Sequence, residues 1–221
     1  MSLASIETHG MVLLGCGKMG SAMLAGWLAN GTGVHINEGV PEAPAIALIA
    51  VKPQMMGEAL PSMKALGNSD TVFLSVAAGT SIETFADVLG AQSPIIRAMP
   101  NTPAAIGRGI TAIVGNAHTS EAQMDLAEAL LSAVGQVVRL DDEGQMDAVT
   151  AVSGSGPAYV FHLVETLAAA GEAEGLPAEL AMQLAKATVG GAGQLAEDAD
   201  EDPNQLRVNV NLTQWNDAGR A

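Results

Sequence analysis

Apolar and polar residues follow two rhythms along this chain. Over the first two thirds, short unbroken apolar runs alternate with stretches in which apolar positions recur every three or four residues. The runs at 11–14, 45–51, 71–76 and 94–99 contain few polar residues, as expected of strands covered on both faces. Segments 109–114 and 136–140 predict two further strands toward the sheet edge. The helices between them have legible ends. Ser120 and Gln123 have capping-box spacing before an apolar stripe that Gly135 closes, and Thr80 and Glu83 repeat the spacing before Phe85, Val88 and Leu89, with Gly90 as the stop. The alternation predicts an open α/β sheet, predominantly parallel.

Beyond Leu140 the second rhythm takes over. From Gln145 to Ala199 the strand signal fades and alanine-rich helical runs dominate. Pro157 predicts the start of a helix through Tyr159, Leu163, Val164 and Leu167, and Pro177 the start of another through Leu180, Leu184 and Ala187. Gly190 and Gly191 leave room for a close helix crossing or a kink. A helical region this small cannot cover so much apolar surface by itself, which predicts a homodimer joined through it.

The junction at the first strand carries the strongest chemical signal. Met11-Val12-Leu13-Leu14 runs into Gly15-Cys16-Gly17-Lys18-Met19-Gly20 and then into a helix through Trp27 and Leu28. Strand, Gly-x-Gly-x-x-Gly turn and helix, in that order, form the context a dinucleotide needs. Gly15 permits the tight turn, Gly17 lets the backbone approach a diphosphate, and Gly20 lets helix and strand pack closely. Cys16 is a small filler in the turn. One expected part does not follow. A second strand with a ribose-reading residue should come soon after Asn30, but the residues between Gly31 and Ile36 leave no room for strand, acidic residue and connecting helix. An absent internal segment explains this better than a deletion variant with a damaged site.

Further candidates sit at later strand ends, where ligands of open α/β sheets collect. Ala50, Val51, Lys52 and Pro53 place a cation and a stiff exit after the second run. Val76, Ala77, Ala78 and Gly79 close the next with small residues, a wall for a flat ring. Arg97-Ala98-Met99-Pro100-Asn101-Thr102-Pro103 holds Asn101 on a rigid turn, either to orient a carboxamide or simply to form the turn. Ser153-Gly154-Ser155-Gly156-Pro157 reads as a loop whose backbone donors precede a helix.

Composition narrows the function class. A formal charge of −15 argues against nucleic acid as partner. Cys16 is the single cysteine, so there is no intrachain disulfide and a reducing cytoplasm fits. No apolar run reaches membrane-span length, and the first ten residues lack a signal-peptide pattern. His9, His35, His118 and His162 are scattered and read as structural or exposed, with no metal-ligand spacing among them. The acidic run 197–202 reads as a solvated loop.

Taken together, the turn at 12–20, the stretches 50–54 and 97–103, and above all Asp147-Ala148-Val149-Thr150-Ala151-Val152-Ser153-Gly154-Ser155-Gly156-Pro157-Ala158-Tyr159 resemble the pyrroline-5-carboxylate reductases, over residues 11 to about 210. The resemblance implies a Rossmann-type, mostly parallel sheet domain (1–142) followed by an all-helical C-terminal dimerisation domain (143–221). It also implies reduction of 1-pyrroline-5-carboxylate to L-proline with NADPH or NADH, in a homodimer or higher homo-oligomer. Gly15, Cys16, Gly17, Lys18, Met19, Gly20, Asn37, Ala50, Val51, Lys52 and Pro53 would bind the cofactor, with Ala78 and Asn101 beside them, and Asn209 would contact substrate. No catalytic side chain is assigned, because the cofactor carries the hydride chemistry. One departure stands out. The family continues after Asn209 into Ser-Pro-Gly-Gly-Thr, whereas Asn211-Leu212-Thr213-Gln214-Trp215 follows here. Residues absent at two loop positions account for both departures. The alternatives are a non-catalytic dimeric nucleotide sensor and a related small hydroxy-acid dehydrogenase; the latter would need a lysine or histidine acid/base that Gly154 to Tyr159 do not supply.

Overall fold

The computed structural model describes Ile6, residues 8–29 and residues 42–210. Asn37, the connection after Asn30 and the segment 211–215 lie outside the described residues. The chain divides into two compact units, Met1–Pro157 and Ala158–Ala221.

In the first unit, strands β1 (Met11–Leu14), β2 (Ile46–Ile49), β3 (Val72–Ser75), β4 (Ile95–Met99), β5 (Gly109–Gly115) and β6 (Gly135–Arg139) form one sheet in that spatial order. All neighbouring pairs are parallel except β4 with β5. The reversal of β5 brings its start, Gly109 and Ile110, to the rim where β1–β4 end, since Ala112 pairs with Met99.

Strand alternation divides the core between two faces. Ile46, Leu48, Val72 and Leu74 pack on one side with Met23 and Trp27 of helix α1 (Lys18–Ala29) and Leu126 and Leu130 of helix α3 (Glu121–Leu131). Ala47, Ile49 and Phe73 pack on the other with Phe85 and Leu89 of helix α2 (Ile82–Leu89) and with Met56, Leu60 and Met63 from the helical turns after β2. A period of two in the strands feeds both layers at once, which is why the middle strands are mostly apolar, with Ser75 and Arg97 as the polar exceptions in β3 and β4. β2 and β3 are buried at every position, whereas β1 is half-buried and β6 largely exposed. Among the described residues β1 is therefore an edge strand. The buried indole of Trp27 donates to the Leu130 carbonyl at 2.9 Å and ties α1 to α3 across the layer.

The capping box at Ser120 forms as the spacing predicts, with the Ser120 amide donating to Gln123 Oε1 at 2.8 Å. The Thr80–Glu83 box does not. Helix α2 is capped one residue later by Ser81, whose hydroxyl accepts from the Thr84 amide at 3.3 Å. Gly90 ends the helix with φ of +107°.

The second unit holds all but the first two residues of α4 (Gly156–Ala173), together with α5 (Ala178–Asp198) and α6 (Pro203–Asn209). Pro157 lies in the first turn of α4, and Pro177 is the residue preceding α5. No break in the helix falls at Gly190 and Gly191. α5 runs through both, and a Cβ at either would meet nothing within 4 Å among the described residues. Buried apolar side chains are sparse here, namely Ala168, Ala181 and Ala185, while Tyr159, Phe161, Leu163, Leu184 and Leu195 are exposed. Val160, Phe161, Val164, Met182 and Val189 line an apolar groove of about 530 Å³ between α4 and α5.

Candidate functional site

Because β1 to β4 are parallel, their carboxyl ends share one rim of the sheet. The sequence-predicted residues Gly15 to Gly20, Ala50 to Pro53, Ala78 and Asn101 all follow these strand ends. The glycine turn shows why each glycine is needed. Gly15 has φ of +94°, and a Cβ there would stand 2.8 Å from the Ala50 carbonyl oxygen and 2.8 Å from Val51 Cγ1. Gly20 is buried in the first turn of α1, where a Cβ would come within 2.5 Å of the Gly15 carbonyl oxygen and 3.3 Å of Ala50 Cβ. At Gly17 a Cβ would meet nothing within 4 Å among the described residues, so this glycine does not abut the protein that is described. Two glycines close the turn against β2, and the third leaves its outer side bare for a bulky group to approach the backbone.

Around that bare side, Cys16 and Lys18 are exposed and Met19 is half-buried. The α1 ladder starts with the Ser21 amide donating to the Gly17 carbonyl at 2.9 Å, so the turn before it presents amides at the positive end of a helix. At the neighbouring strand end, the Ala50 amide bonds the Leu14 carbonyl at 2.8 Å, Lys52 is exposed, and Pro53 starts a 3-10 turn. After β3, Ala77 is buried with its amide on Ser75 Oγ at 3.2 Å, while Ala78 is exposed and Gly79 has φ of +74°.

Asn101 is buried with its side chain committed to protein. Its Oδ1 accepts from the Ile110 amide at 3.0 Å and its Nδ2 donates to the Ser153 carbonyl at 3.2 Å. It therefore ties the ends of β4 and the start of β5 to the segment that carries the family-like motif. That segment also differs from expectation. Ser153 to Pro157 do not form a loop; the chain passes from an α-turn (Met146–Val149) through a π-turn (Thr150–Gly154) directly into α4. The Ser155 amide donates to the Thr150 carbonyl five residues back at 2.8 Å. A Cβ on Gly154 would meet Met99 Cε at 2.7 Å, so glycine lets the widened turn lie against the end of β4. π-turns of this kind recur at functional sites.

A model of the pyrroline-5-carboxylate reductase dimerisation region matches residues 143–213. The chain is 35% identical to the pyrroline-5-carboxylate reductase of Pseudomonas aeruginosa, over 93% of this chain and 84% of that protein. The chain belongs to the pyrroline-5-carboxylate reductase family. A solved pyrroline-5-carboxylate reductase from Coxiella burnetii superposes with a TM-score of 0.86 at 31% identity, covering 92% of this chain and 85% of that one. A pyrroline carboxylate reductase from Plasmodium falciparum with NADP bound superposes at 0.77 and 27% identity, covering 91% and 83%. The alignment with the Pseudomonas reductase spans 230 positions, more than the 221 residues of this chain, so that relative has residues inside the matched span that this family member lacks.

Asn209, the expected substrate contact, ends α6 in the second unit, where its Oδ1 accepts from Gln205 Nε2 at 2.7 Å. His162 proves to have a carboxylate neighbour, with Nδ1 3.6 Å from Glu165, but both are exposed on α4 and form a surface pair. Among the described residues, no group of three or more His, Cys, Asp or Glu side chains could hold a metal, and no helix is long and apolar enough to cross a membrane. Sequence reasoning missed Ser81 and Glu143. The Ser81-x-x-Thr84 spacing lies one residue after the Thr80–Glu83 box, whereas Glu143 acts across 61 positions and has no local sign.

Proposed function

We propose that this chain reduces 1-pyrroline-5-carboxylate to L-proline with NADPH or NADH, as a homodimer or higher homo-oligomer in the cytoplasm. The observation that carries the reading is the Gly17 position, open among the described residues, between two glycines locked against β2 at the carboxyl rim of a parallel sheet. A dinucleotide fits there. Gly15 to Gly20 would hold its diphosphate, Lys52 would offer a cation, and Ala78 a small wall for a flat ring. When bound, the nicotinamide supplies the hydride. The protein's part is to hold that ring against the substrate carbon and to exclude water. Asn209 would contact substrate, and the dimerising part would span 143–221. Asn101 acts from behind, through the π-turn it holds.

The test is NADPH oxidation with 1-pyrroline-5-carboxylate and the appearance of proline. Gly17→Val should leave thermal stability near wild type, because a Cβ there meets none of the described residues, and weaken NADPH binding by at least about tenfold through crowding. Unchanged binding would remove the turn from the site. The segment 211–215, which departs from the family's substrate loop, favours a second reading as a nucleotide sensor. Tight NADPH binding by the dimer with no proline formed would establish it.

A further inference from the structure

We infer that Glu143 is a positioning residue for the coenzyme rim, acting through the β3–α2 loop from the first position of the dimerisation match. A single carboxylate oxygen, Glu143 Oε1, accepts two hydrogen bonds from different elements: one from Arg97 Nη1 of β4 at 2.7 Å, the other from the backbone amide of Ile82 at 2.9 Å. Ile82 is the first residue of α2, so the carboxylate sits at the positive end of that helix. The side chains are only 11% exposed for Arg97 and 30% for Glu143. The loop before Ile82 is thus held at both ends. At its start the Ala77 amide bonds Ser75 Oγ at 3.2 Å, and at its finish Ile82 is anchored to Glu143. Between the anchors lie exposed Ala78 and Gly79, the stretch assigned above as the wall beside the ring.

The inference rests on that coenzyme reading and adds a physical link to it. The segment that opens the dimerisation region sets the height of one wall of the coenzyme site. Releasing Ile82 would let the loop choose among several conformations, and binding would have to order it again. Arg97 keeps the carboxylate in place, as a nearly buried cation that needs its partner.

The experiment is a fluorescence titration of the full chain with NADPH, run beside thermal unfolding. Glu143→Ala should weaken NADPH binding roughly tenfold and lower the melting temperature, since it removes a charged acceptor and strands Arg97. Glu143→Gln keeps an acceptor for the Ile82 amide and should bind within about threefold of wild type. A merely structural pair is told apart by the double variant Arg97→Met with Glu143→Met. Losing both charges together restores the melting temperature, while NADPH binding stays about tenfold weak because Ile82 has no acceptor. Wild-type affinity in the double variant, or a loss in the Gln variant equal to that of Ala, overturns the role of Glu143. Absence of NADPH binding by the wild-type chain would instead overturn the coenzyme reading itself.

Discussion

The two units use similar apolar residues to opposite ends. In the sheet unit, Trp27, Phe73, Phe85, Ile46 and Leu74 are all fully buried, because period-two strands face two helical layers that are already present in the chain. In the helical unit, Tyr159 is 66% and Phe161 59% exposed, and among the described residues only three apolar side chains, all alanines, are buried. α4 and α5 have no second layer of their own among the described residues. Apolar content therefore gives a core only where the fold supplies a facing surface. Residues 143–213 match a dimerisation region, and we propose a second copy of the chain as the surface that faces them.

Trp27→Ala should have the largest effect. It opens a cavity between α1 and α3 and leaves the Leu130 carbonyl without its donor, costing about 3–5 kcal/mol in denaturant unfolding. A loss below about 1 kcal/mol would mean that the sheet unit is not the self-sufficient half. Phe161→Glu comes next. It puts a charge in the apolar groove between α4 and α5 and should weaken dimerisation by at least tenfold in sedimentation, with the unfolding of the sheet unit unchanged. A dimer unaffected at every concentration would show that this groove is not where the copies meet. Ser120→Ala is the mildest change. Loss of the capping box should cost about 1 kcal/mol and leave the dimer alone.

How far the fold could be read in advance followed the range of the forces involved. The Ser120 cap depends on residues three positions apart, and the six strands, though they pair across long separations, show as short apolar runs in the sequence. The α2 cap falls on Ser81, one residue after the Thr80–Glu83 spacing, and the Ile82 amide goes to Glu143, a partner 61 residues away that no local pattern displays. The π-turn left no sign either. Its residues fit an α-helix or a loop, and the close approach of Gly154 to the Met99 side chain is a long-range contact with no local pattern. The prolines around Asn101 mark a rigid turn, but its side-chain amide bonds the backbone of Ile110 and Ser153, partners that the turn does not disclose. In the glycine turn, by contrast, steric need and sequence coincide at Gly15 and Gly20.

The lone thiol has a practical consequence. Cys16 lies exposed within the glycine turn, and the chain has no other cysteine. An alkylating reagent therefore has one target, and the rate of its reaction is a native reporter of whether the turn is covered. Any compound that shields the turn slows labelling without a dye, tag or mutation being introduced.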